Sequence, residues 1–251
     1  MTEQTHAPDH HPSGHHLRPH RRAAGRGLDW WKQAWTLFAA SAGVWVAMAL
    51  ILMVISILLG LVPVLGALLS SLLLPVFAGG WMLAARKADT EGKPGIGDLF
   101  SGFRENLTSL LVLGAVVLAA SLVIAVAADL LGARPILQLL TGAERYEGSV
   151  MVTVLAASML GLLVAVALSL MLSMAMWFAP ALVVFRGVPP VRAMSASLTA
   201  CLENVLPFLV HGVLFIVAAA VASIPFGLGW IILLPVVGLT VYASYRDVYG
   251  F

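Results

Sequence analysis

Residues 150–185 read VMVTVLAASMLGLLVAVALSLMLSMAMWFAPALVVF, a run of 36 residues without a charged side chain. About 20 apolar residues in a helix cross a hydrocarbon core of about 30 Å. This run is long enough to span a membrane, and as one straight helix it would extend about 54 Å. Pro180 predicts a kink or an end in the regular helix, which leaves residues 181–185 to reach the membrane interface.

Five further apolar stretches begin near Leu37, Val64, Leu107, Val205 and Phe226. The chain is 61% hydrophobic and 10% charged, whereas soluble domains are about 25% charged. This composition excludes a water-soluble core and predicts an all-α polytopic membrane protein with six transmembrane helices. The first stretch follows 36 residues and has no small-residue cleavage site after it, so we expect no cleaved signal peptide.

Basic residues are unevenly placed along the chain. Twelve of the 14 Lys and Arg fall in four segments: the N-terminal tail, the segment after the second span, the segment after the fourth, and the C-terminus. The other two, Arg134 and Arg145, lie on the opposite side. Because loops rich in Lys and Arg stay in the cytoplasm, this split predicts a multi-pass bacterial inner-membrane protein with both termini cytoplasmic.

Residues 1–27 are rich in His, Pro, Arg and Gly and have no apolar periodicity. We expect a disordered cytoplasmic tail here and a six-span membrane domain over residues 28–251. The tail holds most of the histidines, among them His10, His11, His15 and His16. Imidazoles bind zinc, nickel or copper, and weak adventitious capture is favoured over a metal sensor or chaperone role. No cofactor is expected, and Cys201 is the sole cysteine, which excludes an intrachain disulfide.

Amphipathic stretches precede three of the spans, at residues 28–38, 96–105 and 191–203. The first contains Trp30, Trp31 and Trp35, which favours an anchor in the headgroup layer over a ligand-stacking platform. An offset of 98 residues relates the second stretch to the third, matching Glu105, Asn106 and Gly114 to Glu203, Asn204 and Gly212. The sequence therefore predicts three hairpin repeats, each preceded by an amphipathic interfacial helix.

Three groups of residues are candidates for binding. His211 is the ionisable residue within a span, which favours a neutral packing residue bonded to a carbonyl or serine over a proton relay or ligand site. The pairs Glu105–Asn106 and Glu203–Asn204 sit where a span begins. Capping of the new helix is favoured there over two equivalent sites for a headgroup or cation.

Small residues recur every four positions in the fourth span. They are Ala157, Gly161, Ala165, Ser169 and Ser173. Such a stripe lets helix backbones approach closely. Tight packing within the monomer is favoured, and a homodimer face or a substrate path is the alternative.

Several motifs carry a resemblance to a known family. They are WKQAWTLF at 31–38, residues 81–86, the region of Asn106, WFAPALVVFR at 177–186, residues 189–204, and YASYRD at 242–247. Over residues 28–251 the chain resembles six-span bacterial inner-membrane proteins of unknown function. It is more distantly similar to the membrane domain fused to some glycerophosphodiester phosphodiesterases. The resemblance implies a location and a fold, but no activity.

The chain has no HExxH, GxSxG, Walker A, GxGxxG or paired-cysteine motif, and no soluble segment beyond about 35 residues. We therefore expect no enzymatic activity and no nucleic-acid partner. The favoured function is a scaffold or lipid-organising protein whose partners are membrane lipids. A small transporter, channel or lipid translocator is the alternative, since internal repeats and broken helices recur in transport folds. Homo-oligomerisation is left open.

Overall fold

The computed structural model describes residues 18–133, 135 and 148–250. Within these ranges the chain forms nine α-helices and one 3₁₀ helix, and the predicted all-α class is confirmed for them. The elements are α1 Arg26–Ala40, α2 Ala42–Gly60, α3 Leu65–Glu91, the 3₁₀ helix Ile96–Phe103, α4 Leu107–Leu130, α5 Gly148–Trp177, α6 Ala179–Arg186, α7 Pro190–Glu203, α8 Val205–Ser223 and α9 Trp230–Tyr249.

Six helical segments of the described chain are long and apolar enough to cross a membrane: α2, α3, α4, α8, α9 and the combined stretch Val150–Arg186. A helix bonds its backbone N–H and C=O groups internally, as the hydrocarbon core requires. The six predicted spans are thus confirmed by length and composition. The first begins at Ala42 rather than near Leu37, because the backbone breaks at Ser41 (φ −147°, ψ 42°) and separates α1 from α2.

The long fourth span is interrupted at Phe178, two residues before Pro180. The Phe178 N–H donates to Ser197 Oγ of α7 (2.9 Å), and that hydroxyl donates to the Met174 carbonyl (2.7 Å). A side chain from a neighbouring helix thus enters the hydrogen-bond ladder, and Pro180 has no N–H with which to continue it. The predicted break is therefore present.

Buried side chains concentrate in one half of the bundle. In α3 they run from Pro75 to Ala85, and in α6 they cover residues 179–184. We call this the packed half; it includes α1, the 3₁₀ helix, α6 and α7. The opposite end, with the turns at Pro63 and Pro225, has mostly exposed apolar side chains and is called the open half.

The three short helices α1, the 3₁₀ helix and α7 have equivalent neighbours. The 3₁₀ helix packs on α3, α7 packs on α5, and α1 packs on α9. The three hairpins are α2–α3, α4–α5 and α8–α9. The 3₁₀ helix and α7 each contact the last helix of the hairpin before them, and α1 contacts the last helix of the third hairpin. As a result, α1 joins the beginning of the described chain to its end.

The predicted boundary of the disordered tail is wrong for residues 18–27, because these residues lie on the membrane domain. The His20 N–H donates to the Val248 carbonyl (2.8 Å), and the Arg22 side chain donates to the Asp247 carbonyl (3.0 Å from Nε). Arg22 and Arg26, which composition assigned to a disordered tail, have acceptors on α9. Residues 1–17 are outside the described part of the chain.

Candidate functional site

The Asp247 carboxylate is the centre of an ionic cluster in the packed half. Its side chain is 5% exposed and accepts hydrogen bonds from Arg26 (Nη2–Oδ1 2.6 Å, Nε–Oδ2 3.0 Å) and from Trp30 Nε1 (2.9 Å). Arg22 Nε lies 3.2 Å from Oδ1. The hydrogen bond to Asp247 raises the pKa of the Arg26 guanidinium above its usual range. This cluster fixes the N-terminal segment and α1 on the last span.

Asn204 lies beside this cluster and does not cap α8. Its Oδ1 accepts from the Arg22 N–H (2.7 Å), and its Nδ2 donates to the His20 carbonyl (3.2 Å) and to the Ala200 carbonyl (2.9 Å). The amide therefore binds the N-terminal segment to the end of α7. The capping prediction is wrong here because the amide oxygen and nitrogen of Asn204 already bond to Arg22, His20 and Ala200.

The predicted equivalence of the two Glu–Asn pairs is not seen in the structure. Asn106 is exposed in a left-handed conformation (φ 57°) and makes no side-chain capping bond. Asn204 is buried. Glu105 is exposed and lines a surface hollow with Lys87 and Asp98, whereas Glu203 lines another. The two Glu–Asn pairs therefore have different surroundings and do not form two equivalent sites for a headgroup or cation.

A second ionic cluster was not predicted from the sequence. Asp89 at the end of α3 pairs with Arg246 and accepts from the Tyr242 hydroxyl (3.0 Å), while Arg246 also donates to Gln33 Oε1 (2.8 Å). These bonds tie α1, α3 and α9 together. Sequence reasoning used Arg246 only to predict the topology and did not use Asp89. The available signal was the sequence YASYRD, which places tyrosine and arginine one helical turn apart.

His211 is buried among aromatic rings rather than bonded to a carbonyl or serine. Its ring centroid lies 5.3 Å from that of Trp177, 5.6 Å from Trp31 and 6.4 Å from Trp30. It is 6% exposed, and its Nδ1 has no hydrogen-bond partner among the described residues. The hydrogen bond expected for a structural histidine is therefore absent from this part of the chain.

The tryptophans of α1 differ in their surroundings. Trp30 is fully buried and donates to Asp247, and Trp31 packs on His211. Only Trp35 of these three is exposed, at 55%, as an interfacial anchor would be. The anchor prediction is wrong for Trp30, because its N–H has a buried carboxylate as acceptor.

Grooves separate the helices towards the open half. One of about 570 Å³ lies between α2, α3 and α5, and another of about 440 Å³ lies between α2, α3 and α9. A third, of about 320 Å³, lies between α5, α8 and α9 and is lined by His211. Their walls are mainly Leu, Phe, Met, Val and Ala, with a few serines. Such walls suit apolar chains better than ions or sugars.

Comparison with known proteins places the chain in a family. A probable inner membrane protein of Burkholderia thailandensis is 30% identical over 229 residues, which is 88% of this chain and 82% of the relative. The chain belongs to that protein's family. It is a multi-pass inner-membrane protein, as its motifs and six apolar helices predicted. No family model matches the chain, and no solved structure matches it. The distant similarity to a phosphodiesterase membrane domain stays a prediction.

In this inner-membrane protein the stripe of small residues is not one continuous packing seam. Gly161 is buried, and a Cβ there would lie 2.7 Å from the Ala133 nitrogen and 2.8 Å from the Ala128 oxygen. The stripe's other members are less enclosed: Ala165 is half-buried, and Ala157, Ser169 and Ser173 are exposed. The prediction of tight packing therefore fails for these exposed positions, whose side chains have no close helix of the described chain over them. A homodimer face or substrate path stays a prediction for the rest.

The predicted metal ligands His10, His11, His15 and His16 lie outside the described residues. His20 is described, and its backbone N–H bonds to Val248. Cys201 is buried on α7, where desolvation raises the pKa of its thiol to about 12. That thiol therefore stays protonated at neutral pH and is a poor nucleophile or metal ligand.

Proposed function

We propose that this inner-membrane protein is a non-enzymatic protein that binds and organises membrane lipids. The observation that carries the proposal is the contrast between the two halves of the bundle. The packed half is closed by fully buried rings such as Trp30, Trp45 and Tyr245. Apolar grooves of about 320 to 570 Å³ lie between the helices and extend from the edge of the packed half into the open half. Lipid chains are the apolar molecules present at that depth.

The walls of the grooves argue against a channel for ions. Selective pores are lined by rings of carbonyls or charges, which replace the hydration of the ion. The described groove walls hold no Asp, Glu, Lys or Arg. Lipid translocation is a second candidate, favoured by the row of Ser56, Ser70, Ser71 and Ser173 along the groove between α2, α3 and α5. These hydroxyls could contact a polar headgroup as it passes.

The arrangement of helices supports three hairpin repeats with interfacial helices on the cytoplasmic side. Each short helix contacts the span that ends the preceding hairpin. Contact between Arg22 and Asp247 supports an even number of crossings, since both ends of the described chain lie on one side. The concentration of Lys and Arg there favours the cytoplasm and an attraction to anionic lipids.

Reporter fusions test this orientation. A reporter placed after Phe251, or in the loop near Gly95, is expected to behave as cytoplasmic because these positions adjoin the basic segments. A reporter inserted near Gly142 is expected to behave as periplasmic. Paired alkaline phosphatase and fluorescent-protein fusions give the measurement. Phosphatase activity from the C-terminal fusion would overturn the six-span topology with cytoplasmic termini.

Two measurements on purified protein test the function. Native mass spectrometry of the detergent-solubilised chain is expected to show phospholipid that resists detergent exchange. Vesicles of phosphatidylethanolamine and phosphatidylglycerol carrying the chain and a trace of fluorescent phospholipid are expected to show dithionite quenching at the protein-free rate. Rapid quenching of the inner-leaflet probe would instead establish translocation. The absence of retained lipid would contradict both candidates.

A further inference from the structure

Two compact turns close the first and third hairpins in the open half. In the first, a Cβ on Gly66 would overlap the Leu59 carbonyl, and in the third, a Cβ on Gly229 would lie 2.5 Å from Ala222 Cα. Both contacts join residues seven positions apart, so the two turns are of equal length. The two helices of each hairpin therefore meet directly below its turn.

The side chains of the two turns, at residues 60–65 and 223–228, are mainly apolar. Those that are large and exposed range from 49% exposed at Val62 to fully exposed at Phe226. They are Leu61, Val62, Val64, Leu65, Ile224, Phe226 and Leu228. Turns that face water typically use Gly, Asn, Asp or Ser. Because exposure of apolar surface to water is unfavourable, the composition of these turns favours contact with an apolar phase.

Each turn places a residue with a left-handed backbone directly after its proline. Val64 follows Pro63 and has φ 56°, and Phe226 follows Pro225 and has φ 53°. Positive φ is unfavourable for residues with a side chain, and more so for β-branched residues such as valine. Glycine would adopt either conformation at lower cost. The turns therefore hold a large apolar side chain outward at a position where glycine suits the backbone better.

The backbone N–H groups of the turns are bonded to nearby carbonyls. In the third hairpin, all five non-proline residues of 224–229 donate to carbonyls of residues 221–225, at 2.9–3.2 Å. In the first hairpin four of the five non-proline residues of 61–66 bond in the same way, and Val64 is the exception among the described residues. A turn in water does not need this, because water bonds to free N–H groups. Internal bonding is required where water is absent, as in the hydrocarbon core.

The length of the hairpins sets the depth of the turns. At 1.5 Å per residue, α8 rises about 28 Å from Asn204 to Ser223, and α9 rises about 26 Å from Trp230 to Asp247. Asn204 and Asp247 mark the aqueous boundary, since the arginines bonded to Asp247 are partly exposed. The hydrocarbon core is about 30 Å thick. The third turn therefore reaches the far edge of the core and meets acyl chains, whereas a partner in the aqueous phase would lie beyond the headgroups.

The other two hairpins can be compared with the third. In the first, α2 has 19 residues and places its turn at a similar depth. Residues 33–85 and 204–245, which contain the first and third turns, hold no Asp, Glu, Lys or Arg. The connection of the second hairpin, at residues 132–149, carries two arginines and two glutamates. Only this connection has the charges expected of a segment in water.

We propose that the turns of the first and third hairpins are immersed in the membrane leaflet opposite the packed half, where Val64 and Phe226 contact lipid acyl chains. Under the topology proposed above, this is the periplasmic leaflet. A hairpin that is shorter than the bilayer thins the bilayer around it. The turns therefore give the protein a way to organise leaflet lipids that does not depend on the grooves.

Cysteine accessibility tests the depth of the turns. Phe226→Cys and Val64→Cys replace exposed side chains, and the buried, protonated Cys201 thiol stays in place as the background. The control is Lys93→Cys, at an exposed position in the loop after α3. In open membrane fragments, a membrane-impermeant maleimide is expected to label both turn variants at least about tenfold more slowly than the control, because the reactive thiolate is disfavoured in hydrocarbon.

Photo-crosslinking in intact cells identifies what covers the third turn. Benzoylphenylalanine incorporated at position 226 keeps an aromatic side chain at a fully exposed position. Irradiation is expected to give an adduct whose added mass is that of a phospholipid.

Labelling of Phe226→Cys as fast as Lys93→Cys would place the third turn in water and overturn the inference. An adduct of protein size without the lipid adduct would also overturn it, because a partner protein would then cover the turn. Neither measurement depends on the orientation of the chain or on lipid retained in the grooves. Failure of this inference is therefore distinguishable from failure of the proposed function.

Discussion

Alanine in place of Gly102 is expected to destabilise the protein by about 3 kcal/mol, near the upper end for overpacking. A Cβ at this position would lie 2.0 Å from the Val76 carbonyl oxygen and 3.1 Å from the Gly80 nitrogen. The approach is reciprocal, since a Cβ on Gly80 would lie 2.0 Å from the Leu99 oxygen. Backbone atoms, unlike a flexible side chain, cannot move aside cheaply. The 3₁₀ helix would have to leave α3.

The matched control lies in the same short helix. Gly97→Ala makes the same substitution where no heavy atom lies within 4 Å of the added Cβ, and should change stability by no more than about 0.5 kcal/mol. Fluorescence-detected size-exclusion chromatography after heating gives the comparison. If both variants lose their monodisperse peak at the same temperature, the close contact between the 3₁₀ helix and α3 does not exist.

Asp247→Ala is the second substitution with a large expected effect. It removes the acceptor of Arg26 and Trp30 and a charge partner of Arg22. Breaking a buried ion pair costs about 3–5 kcal/mol, and here about 2–3 kcal/mol is expected because the two arginine side chains are 33% and 39% exposed. The N-terminal segment and α1 should then open locally from α9. Trypsin cleavage after Arg22 and Arg26 in nanodiscs should accelerate by about tenfold or more.

An exposed ion pair on the same helix provides the control. Asp29 contacts Arg26 at 3.4 Å and Lys32 at 3.7 Å, and its side chain is 38% exposed. Asp29→Asn should therefore change stability by less than about 1 kcal/mol and leave cleavage nearly unchanged. Protection of the N-terminal segment that survives Asp247→Ala would show that the segment is held by other contacts.

Sequence reasoning predicted the features that depend on local composition. Residues 150–185 predict a membrane-spanning run, and Pro180 predicts its break, because length, apolarity and a missing N–H are properties of the segment itself. The acceptors of Arg22 and Arg26 could not be predicted in this way. They lie more than 200 residues further along the chain, and charge patterning says which side a loop occupies but not which carboxylate it meets.

The candidate site was predicted only in part, for the same reason. His211 stands out because an ionisable residue within a span is rare. Its groove could not be predicted, because Gly114 and Gly212 are the same residue with the same spacing from their asparagines. Their contacts differ because Gly79 of α3 leaves room for Leu110 of α4, whereas Trp177 of α5 meets the ring of Phe208 on α8. The size of side chains on the neighbouring helices thus decides whether the glycine packs against a helix, as Gly114 does, or lies beside open space, as Gly212 does.

The closure of α1 onto α9 has a consequence for biosynthesis. Arg26 and Trp30 bond to a carboxylate 221 and 217 residues later in the chain. At about 5–20 residues per second, a ribosome needs roughly 10–45 s to make the intervening chain. Throughout that interval α1 has no access to Asp247, and Arg26 has only its exposed contact with Asp29. The first helix of the described residues is thus among the last to be fixed in place, and a chain that stalls before α9 carries an unsecured N-terminal segment that proteases can recognise.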